Sequence, residues 1–367
     1  MAPDVLVHLI EPADWRAALA DGAVRPPSLG SAGFVHLSTP DQVHLPAERL
    51  YPGRRDLVLL VLDPARLTAP VRFEDGVPAD PGGMQFPHLY GPLPTSAVTA
   101  VVPYRPPAPV TLPAPGDLLA RALTFDISLP VRRAVGVGDV PGGVAVLDPD
   151  VVHSKDNNRV LFTDPVDADT VVTTAEEVGG NAGWPHRAAG LLWPGAHDVA
   201  AELRARGWNA QGLVQMARRA ARTAGGERVE LVEEQEVHGF WAQSWRRELP
   251  ARADRERVIA DLIGRERLND RFIAVTNLVV REAGRVVASG QLRVDGATAA
   301  VDSVLTEPAA RGRGHAGAVL ARAIDLAAGA GCDVVVLEAA ADDWPRQWYA
   351  SRGFAELGTT WAVDRPA

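Results

Sequence analysis

The residues with the clearest chemical meaning are the alternating arginines and glycines at positions 311–314, followed by His315 and Ala316. From Ala316 onward, apolar residues recur at intervals of three and four, which predicts a helix from 313 to about 328. The first amides of a helix lack intrahelical acceptors and lie at the positive end of its dipole, so they bind phosphate. Glycines let the backbone come close to a bulky pyrophosphate. We therefore predict a pyrophosphate site at residues 311–316, with added positive charge from Arg311 and Arg313.

A dinucleotide-binding loop is the competing interpretation of this stretch. Gly312, Gly314 and Gly317 fit G-x-G-x-x-G, and Glu338 lies about 20 residues further on, where that fold places an acid. Only fifty residues follow Gly317, which is too few for a doubly wound domain. The preceding chain is also predicted to form antiparallel pairs of strands. We therefore reject this interpretation.

Two motifs in the last third of the chain resemble the GNAT family of N-acetyltransferases. Arg311, Gly314 and Ala316 match its pyrophosphate pattern R-x-x-G-x-A, and residues 348–354, WYASRGF, resemble its Y-x-x-x-G-F segment. The preceding letters, DDWPRQ, resemble a subgroup with an Asp-Trp-Pro motif. The resemblance covers residues 229–367. It implies an enzyme that transfers an acetyl group from acetyl-CoA to an amine, on either a small molecule or a peptide.

The resemblance also implies which residues contact the cofactor. The fourth and fifth strands of that fold splay apart, and here they correspond to Thr298–Thr306 and residues 333–337. The pantetheine arm lies in the opening and pairs with backbone amides of the fourth strand. The implied cofactor-binding residues are Val304, Thr306, Arg311, Gly312, Arg313, Gly314, His315 and Ala316.

The same resemblance implies that a tyrosine and a carboxylate carry out the proton transfers of direct acetyl transfer. Tyr349 matches the general acid that protonates the leaving thiolate. Asp302 matches a base that often acts through water, and Glu307 is an alternative base. Strand alternation predicts that Asp302 shares a face with Val304 and Thr306. Two structural interpretations stay open: a strand-edge salt bridge for Asp302, and a packed Tyr349 whose hydroxyl is satisfied.

The acceptor pocket is expected near the first helices of this domain, around residues 238–247. Trp241 and Trp245 share a helix face there, although core packing explains at least one of them. The sequence does not identify the acceptor.

Three short strings near the N-terminus resemble the bacterial family known as domain of unknown function 952. They are VHLI at 7–10, GFVHLST at 33–39 and FPHLYGPL at 86–93. That family is similar to the ADP-ribosyltransferase fold, which implies a ligand site, with NAD as a possible cofactor. Its residues would be His8, His36, Ser38, Thr39 and His88. A metal site is not predicted, because the histidines lack short ligand spacing.

Proline content sets the clearest domain boundary. The stretch PYRPPAPVTLPAPG at 103–116 holds six prolines and favours a stiff spacer. We predict an α/β (α+β) protein with a small N-terminal α+β domain at 1–105, a Pro-rich linker at 106–117, a degenerate GNAT-like half at 118–225 and a catalytic GNAT domain at 226–367. Trp184-Pro185 faintly resembles Trp344-Pro345, which favours the degenerate half over an unrelated α/β spacer.

Local patterns predict individual elements within these segments. The predicted strands are 5–10, 34–37, 57–62, 97–102, 213–216, 285–294, 298–306, 333–337 and 356–363. The predicted helices are 12–21, 40–50, 199–206, 313–328 and 344–351.

Composition narrows the function classes. The net charge of −9 argues against general binding to nucleic acid or membrane surfaces. The single cysteine, Cys332, fits a reducing compartment, and without a signal-peptide pattern we expect a cytoplasmic protein. Three functions remain: an amine acetyltransferase, a bifunctional protein whose first domain uses NAD, and a non-catalytic acyl-CoA sensor. The oligomeric state is left open.

Overall fold

The computed structural model of the chain describes residues 4–76, 83–108 and 110–367. Residues 1–3 and 77–82 of the predicted first domain, and Pro109 of the predicted linker, lie outside the described residues. Within the described ranges, no helix combines the length and apolar character needed to cross a membrane.

The N-terminal domain has small antiparallel sheets with helices packed beside them. Its strands are β1 (Leu6–Ile10), β2 (Ala23–Val24), β3 (Val35–His36), β4 (Leu57–Leu62), β5 (Val71–Asp75), β6 (Gln85–Leu89), β7 (Leu93–Pro94) and β8 (Val98–Tyr104). Its helices are α1 (Pro12–Asp21), α2 (Pro27–Ser31) and α3 (His44–Leu50). β4 lies between β1 and β8, and β6 lies between β3 and β5. Alternate residues of β4 face two different cores, which explains its uninterrupted apolar sequence.

The rest of the chain forms one mixed sheet of eleven strands. Its strands are β9 (Gly136–Val140), β10 (Gly143–Leu147), β11 (Arg159–Phe162), β12 (His186–Leu191), β13 (Asn209–Arg219), β14 (Glu230–Val232), β15 (Ala274–Glu282), β16 (Arg285–Asp295), β17 (Thr298–Thr306), β18 (Val334–Ala340) and β19 (Ala355–Pro366). Its helices are α4 (Leu118–Arg133), α5 (Ala168–Asn181), α6 (His197–Ala205), α7 (Gln235–Glu248), α8 (Arg255–Gly264), α9 (Glu266–Asn269), α10 (His315–Gly329) and α11 (Trp344–Ala350).

The two halves of this sheet exchange their last strands. The order across the centre is β17-β18-β13-β19-β12. β13, from the first half, pairs antiparallel with β18 of the second half, from Leu213↔Ala340 to Arg219↔Val334. β19, from the second half, pairs with β12 of the first half. The predicted boundary at 225/226 therefore falls between two strands of a continuous sheet, and each half completes the sheet of the other.

The N-terminal domain packs directly on the turn between β16 and β17. Trp15 is fully buried, and its indole Nε1 donates to Asp295 Oδ1 at 2.7 Å. The Ala297 amide donates to the Val98 carbonyl at 2.6 Å. A Cβ on Gly296, whose φ is 77°, would lie 2.4 Å from that carbonyl oxygen. The turn therefore needs glycine for both its conformation and its close contact.

Arg121 of α4 joins the N-terminal domain, the linker and the second half of the sheet. Its side chain is 1% exposed and donates to the Thr99 carbonyl, to Thr298 Oγ1 and to Asp333. It also donates to the carbonyl of Pro115, in the Pro-rich segment, at 3.0 Å. The segment predicted as a spacer thus joins domains that are packed together, rather than holding them apart.

Candidate active site

Strands β17 and β18 separate after a short parallel contact. They pair only from Thr298↔Val334 to Ala300↔Val336. Beyond these residues, a cavity of about 430 Å³ opens, lined by both strands, α4 and residues from the first half. The predicted splay of the two strands is confirmed, and it gives the site an entrance between parallel strands.

A bulge in β17 changes which side chains face the cavity. Ser303 has φ of 54°, and the pairing of β17 with β16 shifts by one residue beside it. As a result, Val301 and Val304 both pack toward the core under α10, although they are three residues apart. Asp302 lies on the opposite face, where it forms an ion pair with Arg293. The prediction that Asp302 and Val304 share one face is therefore wrong.

The glycine-rich loop at 311–314 is exposed and leads into α10. Gly312 and Gly314 have φ of 78° and 77°, which favours glycine at both positions. The first amide bonded within the helix is that of Ala318, which donates to the Gly314 carbonyl at 3.1 Å. The amides before it, at 315–317, are the unpaired first amides of the helix. An open loop with such amides fits a diphosphate.

The charged side chains around this loop do not all face a ligand. Arg313 donates to Glu282 at 2.8 Å, and the buried His315 bonds to the same carboxylate through Nε2 at 2.9 Å. Arg311 Nε approaches the Thr306 carbonyl at 3.4 Å. Glu282 thus offsets the charge of Arg313, whereas Arg311 has no carboxylate within ion-pair distance in the described ranges. Of the two arginines, Arg311 is the better placed to meet an anion.

Tyr349 of α11 reaches the cavity and is 9% exposed. Its ring packs on Trp348 and Phe354. Its hydroxyl has no hydrogen-bond partner among the residues that the structure describes, so the interpretation as a satisfied, packed tyrosine does not hold. Burial, with a smaller contribution from the Asp302 charge, raises the pKa of Tyr349 to about 12. The phenol therefore keeps its proton at neutral pH.

The two predicted bases are poorly suited to accept a proton. Burial opposes ionisation of Asp302, but the positive charges of Arg293 and Arg265 outweigh it and hold its pKa below the usual value. Glu307 lies outside the cavity lining and faces Arg285 at 3.6 Å. Asp302 is thus a salt-bridged carboxylate, as the structural interpretation expected.

A carboxyl pair that sequence reasoning missed also lines the cavity. Gln215 Nε2 donates to Asp126 Oδ2 at 2.7 Å and to Glu338 Oε1 at 2.6 Å. Burial, and then the charge of Glu338, raise the pKa of Asp126. Burial is also the largest cause of the raised pKa of Glu338, whose accessible surface faces the cavity. Such carboxylates accept protons more readily than ordinary ones.

The sequence carried one signal for this pair. Glu338 interrupts the apolar strand VVVLEAA, and a charge in such a strand needs a partner or a function. Asp126 gave no signal, because it lies on a helix of the first half. The region expected to form the acceptor pocket, 238–247, does not line the cavity. Trp241 instead packs in a core, with its Nε1 3.3 Å from Ser289 Oγ.

The first half contains the same strand–helix–strand unit without a phosphate site. β11 and β12 stay paired from Val160↔Ala189 to Phe162↔Leu191, so no gap opens between them. The Asp167 carboxylate caps α5 by accepting from the Thr170 amide at 2.8 Å. This carboxylate occupies an amide that a phosphate would need, and its negative charge repels a phosphate. The counterpart of the 311–316 loop is therefore residues 163–167, between β11 and α5.

The three N-terminal histidines lie together. His8 Nδ1 is 2.8 Å from the His36 carbonyl, and the rings of His36 and His88 are 5.0 Å apart. His88 Nδ1 bonds to Glu74 Oε2 at 2.7 Å. Burial lowers the pKa of both His8 and His36, so both are neutral at pH 7. Ser38 is buried and pairs with Val7 through the backbone, and Thr39 donates to Gln42 at 3.4 Å.

Comparisons with known proteins agree with this architecture. Residues 240–354 match the model of the acetyltransferase (GNAT) family, and residues 9–101 match the family described as protein of unknown function (DUF952). The C-terminal domain belongs to the GNAT acetyltransferase family. The N-terminal domain belongs to DUF952, whose description assigns it no activity. GNAT membership implies use of an acyl-CoA and an amine acceptor. No curated protein matches the chain.

Several solved structures resemble parts of the chain. A functionally unknown conserved protein from Staphylococcus epidermidis is 12% identical over 62% of this chain and 92% of its own, with a TM-score of 0.50. Protein CC0527 from Caulobacter crescentus is 32% identical over 30% of this chain and 90% of its own, with a TM-score of 0.24. A tandem GNAT protein from the clavulanic acid biosynthesis pathway is 15% identical over 54% of this chain and 68% of its own, with a TM-score of 0.36.

Proposed function

We propose that the protein transfers an acetyl group from acetyl-CoA to a primary amine bound in the cavity between β17 and β18. The supporting observation is the position of this cavity between the two strands, with Tyr349 and a carboxyl pair among its lining residues. The open loop at 311–314 follows β17 and is the proposed diphosphate site. Acetyl-CoA contributes the activated thioester.

Three parts of the chain bind and orient acetyl-CoA. The amides at 312–316 and Arg311 hold the diphosphate. β17 beyond Ala300 no longer pairs with β18, so its free edge can bond the pantetheine arm, with Val304 and Thr306 as the proposed residues. This positioning brings the thioester carbon close to the amine, which removes most of the entropic cost of the reaction.

Three proton transfers complete the reaction. The Asp126–Glu338 pair takes a proton from the ammonium group, because burial raises both of its pKa values and makes it a stronger base than an ordinary carboxylate. The amine nitrogen then bonds to the acetyl carbon as the carbon–sulfur bond breaks. Tyr349 gives its phenolic proton to the departing sulfur, and the nitrogen passes its surplus proton to the phenolate. The products are an N-acetylated amine and free CoA.

Tyr349→Phe tests this assignment. Turnover should fall by well over tenfold, while the affinity for acetyl-CoA changes little, because the ring and its packing remain. Thiol release with a panel of amines measures the first quantity, and calorimetry measures the second. Acetyl-CoA binding without thiol release from any amine would instead support the acyl-CoA sensor. Unchanged turnover in the variant would remove the role of Tyr349.

A ligand site in the N-terminal domain is a separate proposal, supported by the clustering of His8, His36 and His88. Titration of the full chain with NAD tests it. Heat at micromolar to millimolar NAD that disappears in His36→Ala would support an NAD site. No heat would leave acetyl transfer as the proposed activity.

A further inference from the structure

One face of α4 lines the cavity and carries opposite charges at its two ends. Asp126, Leu129, Pro130 and Arg133 all line the cavity and follow the spacing i, i+3, i+4, i+7 of a single helix face. At 1.5 Å per residue, Asp126 and Arg133 are about 10 Å apart along the helix axis. The apolar Leu129 and Pro130 lie between them. The face that α4 presents to the cavity is thus acidic at one end, apolar in the middle and basic at the other end.

Arg133 is a cavity cation without a carboxylate partner among the described residues. Its guanidinium donates to three neutral oxygens: Asn269 Oδ1 at 2.5 Å, the Asp156 carbonyl at 3.1 Å and Asn157 Oδ1 at 3.3 Å. Its buried Nε has no hydrogen-bond partner. Burial is the largest influence on Arg133 and lowers its pKa to about 10. A buried cation in such surroundings is stabilised by an added anion.

The carboxylates near Arg133 form ion pairs with other arginines. Asp156 faces Arg265 at 2.6 Å and Arg159 at 3.7 Å. Glu266 bonds Arg293 at 2.8 Å and Arg265 at 3.0 Å. A further carboxylate of the lining, Asp302, is paired with Arg293. Of the arginines in this cluster, Arg133 is therefore the one that has no carboxylate within ion-pair distance among the described residues.

We propose that the acceptor is an ω-amino carboxylic acid, whose carboxylate binds Arg133 and whose amine lies between the Asp126–Glu338 pair and Tyr349. Its apolar chain would lie along Leu129 and Pro130. This rests on the acetyltransferase function proposed above and names the substrate class for the same cavity. A compound with one charged group satisfies only one end of the cavity, and a diamine places a second cation beside Arg133.

The test compares three amines of equal chain length in thiol release at saturating acetyl-CoA: 5-aminopentanoate, pentylamine and 1,5-diaminopentane. We expect kcat/KM for 5-aminopentanoate to exceed that for the other two at least tenfold. In Arg133→Gln, the KM for 5-aminopentanoate should rise roughly 10- to 100-fold, because the variant loses a charged hydrogen bond to the carboxylate. The kcat/KM for pentylamine should stay within about twofold, since that amine does not use Arg133.

The matched control is Arg222→Gln, which removes an arginine whose side chain is 73% exposed and pairs with Asp325. This variant should leave kcat/KM unchanged for all three amines. Should Arg133→Gln fail to fold, Arg133→Lys keeps the charge, and pentanoate inhibition of the wild-type protein gives an independent measurement. Pentanoate should compete with 5-aminopentanoate.

Each remaining outcome is informative. Equal use of pentylamine and 5-aminopentanoate, or an equal effect of Arg133→Gln on both, would overturn the substrate class and leave acetyl transfer intact. Preference for an α-amino acid such as norvaline would overturn the proposed spacing. Thiol release with no amine at all, despite acetyl-CoA binding, would mean that the proposed function itself has failed.

Discussion

Arg121→Met should weaken the docking of the N-terminal domain onto the acetyltransferase sheet. Methionine keeps an apolar stem of similar length but loses bonds to the Thr99 carbonyl of the N-terminal domain at 3.2 Å, to Thr298 at 2.8 Å and to Asp333 at 2.6 Å. Removing one member of a fully buried ion pair costs about 3–5 kcal/mol. Asp333 is only partly buried and keeps Arg66 at 3.1 Å, so we expect the lower end, about 3 kcal/mol.

Thermal unfolding measures this effect. A loss of about 3 kcal/mol lowers the Tm of a large domain by roughly 6–12 °C. The wild-type chain should unfold in one transition, because Arg121 and the Gly296 turn join the domains. The variant should either unfold earlier or show a separate transition for the N-terminal domain. Arg222→Met is the surface control. A Tm within about 2 °C of wild type would refute the view that Arg121 holds the domains together.

Two further predictions concern the cofactor loop and the carboxyl pair. Gly314→Ala forces an alanine into a left-handed conformation, which costs about 1–2 kcal/mol. Calorimetry should therefore show that acetyl-CoA binds roughly tenfold more weakly. The control Gly53→Ala, at φ of 74° in the N-terminal domain, should leave acetyl-CoA binding unchanged. The folded-state pKa of Asp126 is raised, so its contribution to stability is present at low pH and is lost as pH rises through that value. In urea titrations, Asp126→Asn should therefore gain stability relative to wild type as the pH rises above the ordinary aspartate pKa. A difference in stability that does not change with pH would show that the folded-state pKa of Asp126 is not raised.

Elements with strong local patterns could be predicted from the sequence. The strands Leu57–Leu62 and Thr298–Thr306 and the helix Pro12–Asp21 have the predicted bounds, because their apolar runs, turns and proline act within a few residues. The helix predicted at 40–50 begins only at His44. The strand predicted at 213–216 extends over Asn209–Arg219, because its partners come from distant parts of the chain.

The cavity was harder to predict, because it depends on contacts between distant segments. The bulge at Ser303 uses a residue type that gives no sign of a left-handed conformation, so simple alternation failed there. Asp126 and Arg133 belong to the first half, whereas the family resemblance covered only the second. The glycine loop could be predicted because its chemistry lies within six neighbouring residues.

The exchange of β13 and β19 ties the two halves of the sheet together, because each half supplies a strand that pairs within the other. Neither half can separate without breaking the sheet. The first half therefore stays assembled without a phosphate loop of its own, and it contributes Asp126 and Arg133 to the cavity lining. A cavity formed by two unequal halves presents combinations of side chains that two identical halves could not.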